Sequence, residues 1–414
     1  MSRVTATERV RKELDALLKG IEMEGEAPEN FATEFLHLAV RKLIQQLLEA
    51  ERTDLLGRDP WQRKSDSRGY RNGYEQGKLK TAEGEIPIAV PQVRGTDKPL
   101  HSQLREQLGD RTETLKQLAV ESYVRGLSTR DVEDTLRTAT GDLLLSRSGV
   151  SEVTEELWAD YQEFQQRSLA EFEVVSLVLD GIWQAMRAKG KKREAVLCAW
   201  GILRDGRKVL LHLALGNKES EEAWLAMIRS MVERGLRPPL TVTTDGSRGL
   251  TNAVEQIWPK SLRIRCWVHK MRNIKDKLPA ELAKDILAEI YAIRDAGTYE
   301  QGQQLAQMVI AKYKEVYPSA VACLKDDLDA SLSHLKLPSR IRPLVRSSNG
   351  LERMFEEERR RSKIIPRFFG EKPCLKLMFA VLDRVSDKWT RVHFTSAEVE
   401  QLVALRAALG LVAW

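Results

Sequence analysis

Phe35, Leu36, Val40, Leu43, Ile44, Leu47 and Leu48 recur at three-and-four spacing. That period predicts a helix within residues 1 to about 56, with these side chains on one face and Arg41, Lys42 and Glu49 toward solvent. Gly57 and Pro60 end it. Residues 61–98 then carry turn residues and short alternating segments. Ile86-Pro87-Ile88-Ala89-Val90-Pro91 reads as a strand whose prolines confine it to an edge. The basic stretch Arg63–Arg71, with Tyr70 and Tyr74 close by, fits a nucleic-acid-contacting arm and a solvated loop equally well.

From Arg111 to about Phe164 the pattern is helical again, in three pieces. The first, Glu113–Val124, ends at Gly126. The second opens at Ser128, with Asp131 in capping-box spacing. A turn through Thr140-Gly141 leads to the third, from about Ser148. Short helices joined by Gly-containing turns are what a helix-turn-helix requires, and its third helix would carry Arg147 and Ser148 where base edges are read. A helical connector that touches no nucleic acid has the same pattern.

The period then changes to unbroken apolar runs. Glu173–Leu179, Arg193–Leu203 and Val209–Leu215 read as strands, with Asp205-Gly206 as the turn between the last two. Ser220–Arg234 reads as an amphipathic helix whose Ala223, Trp224, Met227, Ile228 and Met231 share a face. Pro238–Thr244 reads as strand, Gly249–Trp258 as helix and Leu262–Val268 as strand. Three strands in a meander, then helix, strand, helix, strand, predict an α/β fold with helices on the faces of a mixed sheet, the order of a ribonuclease-H-like core. Residues 270–335 are almost wholly helical, which reads as an insertion into that core. Helices return over Asn349–Lys363 and from about Pro373 to Thr390.

Composition narrows the class without naming a partner. A chain of 414 residues exceeds one ordinary domain, and 42% hydrophobic content suffices for packed cores. The 66 basic and 60 acidic residues leave a formal charge of only +6. Four cysteines, at 198, 266, 323 and 374, are too few for a disulfide framework, so a reduced, cytoplasmic protein is expected. No secretory signal is read in the first residues. Apolar runs such as Val174–Leu179 are far short of the ~20 residues a membrane span needs. The distribution of charge says more than its sum: residues 263–277 hold six basic side chains and one acidic, and residues 340–363 hold eight and four.

Three carboxylates stand out beside these basic stretches. Asp180 follows the run Val174–Leu179, and Asp245 follows Leu240–Thr244. Carboxylates at strand ends can converge on a metal, although each alone also fits a turn or a helix cap. Glu352 opens a strongly basic helix, where it is either the capping-box partner of Asn349 or a third metal ligand. A carboxylate cluster flanked by cations suits a phosphodiester: metals handle the reacting oxygens and cations hold the backbone. Arg265, Lys270, Arg272, Arg353, Arg359, Arg360, Arg361 and Lys363 are the candidate backbone contacts, with Arg147 in the helix-turn-helix. Cys266-x-x-His269 supplies two zinc ligands where four are needed, and Cys323 and His334 would complete them only by long-range contact. The other reading is local support of the neighbouring strand, or a contact to DNA.

Together these segments resemble bacterial insertion-sequence transposases of the family related to the eukaryotic Mutator elements. The resemblance is carried by Leu179-Asp180-Gly181-Ile182, Thr244-Asp245-Gly246, Cys266-Trp267-Val268-His269 and Ser348-Asn349-Gly350-Leu351-Glu352-Arg353, followed by Arg359-Arg360-Arg361-Ser362-Lys363. Tyr70-Arg71-Asn72-Gly73-Tyr74 and Tyr123–Asp131 extend it toward the N-terminus, so that it spans roughly residues 50 to 390. The resemblance implies an acidic-triad transposase with Asp180, Asp245 and Glu352 as catalytic metal ligands. One departure is Glu356-Glu357-Glu358, where the family has neutral or basic residues; Glu356 shares a helical face with Glu352 and is its rival as ligand.

The expected division is therefore a helical region over 1–60, a strand and loop segment over 61–110 and a helix-turn-helix-like DNA-binding region over 111–168. A ribonuclease-H-like core over 172–270 and 341–395 follows, split by a helical insertion over 271–340, with a C-terminal helix over 396–414. The expected activity is Mg²⁺-dependent cleavage and strand transfer at the terminal inverted repeats of a mobile element, with Mn²⁺ as the alternative ion and two metals roughly 3.5–4 Å apart. Expected partners are the inverted repeats, target DNA and further copies of the chain, and no membrane; on DNA the protein would sit with the nucleoid. A structure-selective nuclease on the same core, or a non-catalytic DNA-binding descendant of a transposase, are the rivals.

Overall fold

The computed structural model describes residues 4–24, 30–62, 68–97, 99–186, 193–216, 219–363, 365, 368 and 370–414. These form two units, residues 1–154 and 155–414. In the first, the single N-terminal helix read from the periodicity is two, α1 (Ala6–Glu24) and α2 (Phe31–Leu56), and α2 stops at Gly57 in the left-handed conformation. An antiparallel pair follows, β1 (Tyr70–Thr81) and β2 (Gly84–Arg94), in which both strands are edges, as the prolines required. Residues 63–67 of the basic stretch lie outside the described residues. Tyr74 is tied inward: its hydroxyl donates to Glu49 and accepts from Arg52.

The buried face of α2 is not the one expected. Ile44 and Leu48 are buried, with Gln45, Arg52 and Leu56, whereas Leu36, Val40, Leu43 and Leu47 are exposed. The reason is β2. The Gln45 side chain donates to the Ala89 carbonyl at 2.7 Å and accepts from the Ala89 amide at 3.1 Å. One amide side chain thus answers the edge strand's free backbone groups, and burying it rotates the apolar stripe outward. The helices α3 (Gln103–Leu108), α4 (Glu113–Val124), α5 (Thr129–Thr140) and α6 (Arg147–Val153) complete the unit. α5 carries the Ser128/Asp131 capping box read from the sequence, and α6 is capped by Ser146, placing Arg147 rather than Ser148 first.

In the second unit α7 (Glu156–Gln166) precedes a five-stranded mixed sheet. Its strands are β3 (Val174–Ala185), β4 (Arg193–Leu203), β5 (Lys208–Gly216), β6 (Thr241–Thr244) and β7 (Leu262–Arg265), in the order β5-β4-β3-β6-β7. The meander β3–β5 is antiparallel, and β6 and β7 join it in parallel. Helices α8 (Glu221–Glu233) and α9 (Arg248–Ile257) cover one face, where Leu177, Leu179, Leu197 and Val242 meet Trp224, Met227, Ile228 and Leu250. The opposite face presents Val178, Asp180, Cys198 and Trp200, because residues directly paired across a ladder point to the same side.

Five helices follow β7: α10 (Trp267–Lys275), α11 (Ala280–Arg294), α12 (Tyr299–Tyr313), α13 (Pro318–Lys325) and α14 (Leu328–Leu332), closed by a 3-10 turn at Ser333–Lys336. They enclose a core of their own around Trp267, Ile274, Ile290, Ile293 and Leu332. The short α15 (Arg342–Val345) leads back to α16 (Asn349–Ser362), α17 (Glu371–Ser386) and α18 (Ser396–Ala408). No described helix is long and apolar enough to cross a membrane.

One buried group gives this unit an acid limit. His212 on β5 is buried, and its Nδ1 accepts from the Arg234 guanidinium at 2.8 Å. Burial first, and the Arg234 charge second, push its pKa down to about 3. The folded state therefore refuses a proton that the unfolded chain takes up near pH 6.5, so stability is lost as pH falls through that window, by about 1.4 kcal/mol per unit at most. His212→Gln, which keeps an acceptor for Arg234, is expected to flatten the decline of Tm between pH 6.5 and 4; an unchanged slope would show that other groups set it.

Candidate active site

Parallel pairing sets Val178 of β3 opposite Thr243 of β6. Asp180 and Asp245 each stand two residues beyond this last pair, which leaves their charges close enough to act on one another. Asp180 does not end its strand: β3 runs on to Ala185, with Asp180 opposite Cys198. Asp245 does follow the last residue of β6, and its carboxylate accepts from the Ser247 amide at 2.8 Å, closing the turn into α9.

β7 ends at Arg265, and the residues read as its continuation form the first turn of α10 with Cys266 as N-cap. Cys266 joins this turn to the start of α16: the Ser348 amide donates to its sulfur at 3.3 Å. The Trp267 amide donates to the Arg346 carbonyl at 2.9 Å. α16 in turn settles on β4 because residue 350 has no side chain; a Cβ there would lie 2.6 Å from the Trp200 ring. These ties bring His269 to Glu352, with Nε2 3.9 Å from Oε1. Glu352 is not a cap, since Ser348 holds the N-cap position and α16 has no side-chain cap bond.

Asp180, His269 and Glu352 thus converge, with one ligand atom of each within 4.8 Å of the others; Asp245, expected as the third carboxylate, is not in this group, and its charge reaches Asp180 from beside it. Among the described residues no other group of three such side chains does so, which leaves the zinc arrangement of Cys266, His269, Cys323 and His334 without support. His334 is buried elsewhere, between the Ser331 and Arg294 carbonyls. Of the half-site, Cys266 is engaged locally with Ser348, and His269 joins the carboxylates. Glu356 is exposed and outside the group; Glu357 pairs with Arg360 and Arg361; Glu358 is buried and accepts from Gln184.

The electrostatics are those of acids pressed together. Burial, and then the Asp245 charge, push Asp180 up to about 6, against the opposing pull of His269, the Gly181 amide and the Ser348 hydroxyl. The Cys266 sulfur, aided by Asp180 and Asp245, holds His269 up at about 9 against burial. A further carboxylate, Glu219, was not singled out from the sequence. It is raised by burial and then by Asp245 and Asp180, and it accepts from the Trp183 indole. Gly181 leaves room for it, since a Cβ there would meet Glu219 at 2.7 Å. In Glu219-Ser220-Glu221-Glu222 it reads as an ordinary acidic helix start, and only the pairing of β3 with its neighbours shows where it points.

The basic side chains divide in two. Lys270, a candidate DNA contact, is 1% exposed and its ammonium donates to the Asp326 carbonyl. Arg265 is buried as well, its guanidinium packed over Gly246. Lys270 shares the inner face of α10 with Trp267, Met271 and Ile274, and Arg265, the last residue of the edge strand β7, is 6% exposed, so both side chains face the interior of the fold rather than solvent. Arg272, Arg353, Arg359, Arg360 and Lys363 are exposed, and Arg361 is half-buried against Glu357. Arg147 is exposed and its amide is held by Glu133.

Clustered carboxylate oxygens are donors of the kind that suit Mg²⁺ or Mn²⁺. The chain matches the pattern described as Transposase, Mutator family, over residues 13–392. It is 30% identical over 359 residues to the transposase for insertion sequence element ISRM5 of Rhizobium meliloti, covering 86% of this chain and 89% of that one. It is 30% identical over 355 residues to the transposase for insertion sequence element IS406 of Burkholderia multivorans, covering 85% and 90%. The transposase for insertion sequence element IS256 in transposon Tn4001 of Staphylococcus aureus is 27% identical over 350 residues, covering 84% and 89%. The chain belongs to the Mutator family of transposases.

Proposed function

We propose that this chain cuts and joins DNA at the terminal inverted repeats of a mobile element, by divalent-metal-dependent phosphoryl transfer on a ribonuclease-H-like core. The observation that carries the reading is the convergence of Asp180 and Glu352, from a strand and a distant helix, in a chain of this family. Asp180, Asp245 and Glu352 would hold Mg²⁺ or Mn²⁺. When bound, the metal supplies the activation of a water or a 3′-hydroxyl and the stabilisation of the leaving oxygen. His269 holds a proton against Glu352 and keeps the acids together before DNA arrives. Arg272, Arg353, Arg359, Arg360 and Lys363 bind the backbone. Helices α4–α6, with Arg147, read the repeat in the manner of a helix-turn-helix. Joining two ends requires at least two copies of the chain.

The test is a strand-transfer assay with the purified full chain, a labelled duplex from the DNA flanking its gene, and either ion. Joined products that vanish without metal are expected. Cleavage without joining would make the protein a nuclease, and specific binding with no cleavage in either ion would make it a DNA-binding descendant.

A further inference from the structure

Around the first turn of α16 from the carboxylates lies a cleft of about 510 Å³, within the ~300–1,000 Å³ span of small-ligand sites. Ser347, Asn349, Gly350 and Arg353 line one side, and Lys208, Lys388 and the paired indoles of Trp200 and Trp389 line others. Its closeness to the candidate active site follows from the chain. Ser348, between two lining residues, donates to Asp180. Trp200 lies on the sheet face that carries Asp180, two residues from the Cys198 that pairs with it, a step of about 7 Å along the strand.

The charged side chains of the lining are mostly basic. Lys208, Arg353 and Lys388 form no ion pair among the described residues. The cleft's one acid, Glu357, is already paired with Arg360 at 2.8 Å and Arg361 at 3.4 Å. Trp389 is half-buried, its ring 5.2 Å from that of Trp200, and the buried Trp200 indole N–H has no acceptor among the described residues. Three free cations around an aromatic pair suit a group that is anionic at one end and a flat ring at the other.

We propose that this cleft takes one unstacked nucleotide of single-stranded DNA next to the reacting phosphodiester, its base against Trp389 and its phosphates between Lys208, Arg353 and Lys388. The inference rests on the DNA-processing reading above and adds a base-holding subsite to it. Stacking on an aromatic side chain is indifferent to sequence, so the cleft holds the strand without reading it.

The test needs no metal and no cleavage. Full-length protein is titrated with a single-stranded oligothymidine carrying one central 2-aminopurine, and with the same strand abasic at that position. Binding is expected to quench the 2-aminopurine. Trp389→Ala is expected to lose the quench and about tenfold in affinity. Trp389→Phe keeps most of both, and so controls for folding. Lys388→Gln is expected to weaken binding and flatten its salt dependence while the quench remains. The abasic strand should bind wild type more weakly and Trp389→Ala no worse than the intact strand. Equal binding of both strands by wild type, or a quench that survives in Trp389→Ala, overturns the proposal. Strand transfer with no quench removes the cleft and leaves the function standing; a Trp389-dependent quench with no metal-dependent cleavage removes the function.

Discussion

Asp180→Asn, Asp245→Asn and Glu352→Gln are each expected to lower Mg²⁺-dependent cleavage by about 10³-fold while leaving DNA binding within a few-fold of wild type. Each change keeps the shape and removes the charge. A metal-bound carboxylate contributes several kcal/mol to a phosphoryl-transfer transition state, and about 4 kcal/mol corresponds to that factor in rate. The backbone contacts are carried by other side chains, so binding, read by gel shift, is the control. Thermal stability separates a ligand role from a structural one. Asp180 is an acid held at about 6 chiefly by burial, so at pH 7 its charge costs the metal-free fold stability. Asp180→Asn should therefore raise Tm without metal and abolish the rise that Mg²⁺ gives wild type. A residue that merely supported the sheet would lower Tm. Glu356→Gln should leave cleavage near wild type, since Glu356 is exposed to solvent while Glu352 is the carboxylate of α16 that meets Asp180. An active Glu352→Gln beside an inactive Glu356→Gln would reverse the assignment.

Much of this was legible in the sequence, because local signals and tertiary packing agree over most of the second unit. Val174–Leu179 and Glu194–Leu203 are buried on both faces, so their apolar runs announce strands without ambiguity. Ser128 and Asp131 form the capping box their spacing suggests. Asp180 follows the apolar run Val174–Leu179 and so reads as a strand end, yet the ladder to β4 carries β3 on to Ala185. The basic stretch after β7 misled in a different way. Charge counting treats every lysine as solvated, whereas α10 begins at Trp267, and that phase turns Lys270 inward with Met271 and Ile274. Read as strand to Val268, the segment had no such phase. The outward stripe of α2 was misassigned because Gln45, a polar residue, is what its partner strand requires. Glu219 had no local signal at all; its role depends on which strands are neighbours.

The second large effect is expected from the smallest change near the site. Gly246→Ala should lower cleavage by about 10²-fold and lower Tm well beyond what a turn glycine ordinarily costs. Gly246 follows Asp245 with φ at +79°, a region that side chains enter at about 1–2 kcal/mol. Gly141, at the end of α5, has the same φ, and a Cβ there would meet nothing within 4 Å. Gly141→Ala therefore measures the conformational cost alone, about 1 kcal/mol. At Gly246 the Cβ would fall 1.2 Å from the Arg265 guanidinium. Arg265 is buried, so either its guanidinium shifts within a packed interior or the turn carrying Asp245 moves. Overpacking of this kind adds about 1–3 kcal/mol, and a carboxylate displaced by 1 Å can cost about 10²-fold in rate. Paired measurements of Tm and cleavage on the two variants decide the point. If Gly246→Ala proves no worse than Gly141→Ala in both, Arg265 yields freely and the turn is not held by it; if Arg265→Ala restores cleavage to Gly246→Ala, the clash itself is the cause.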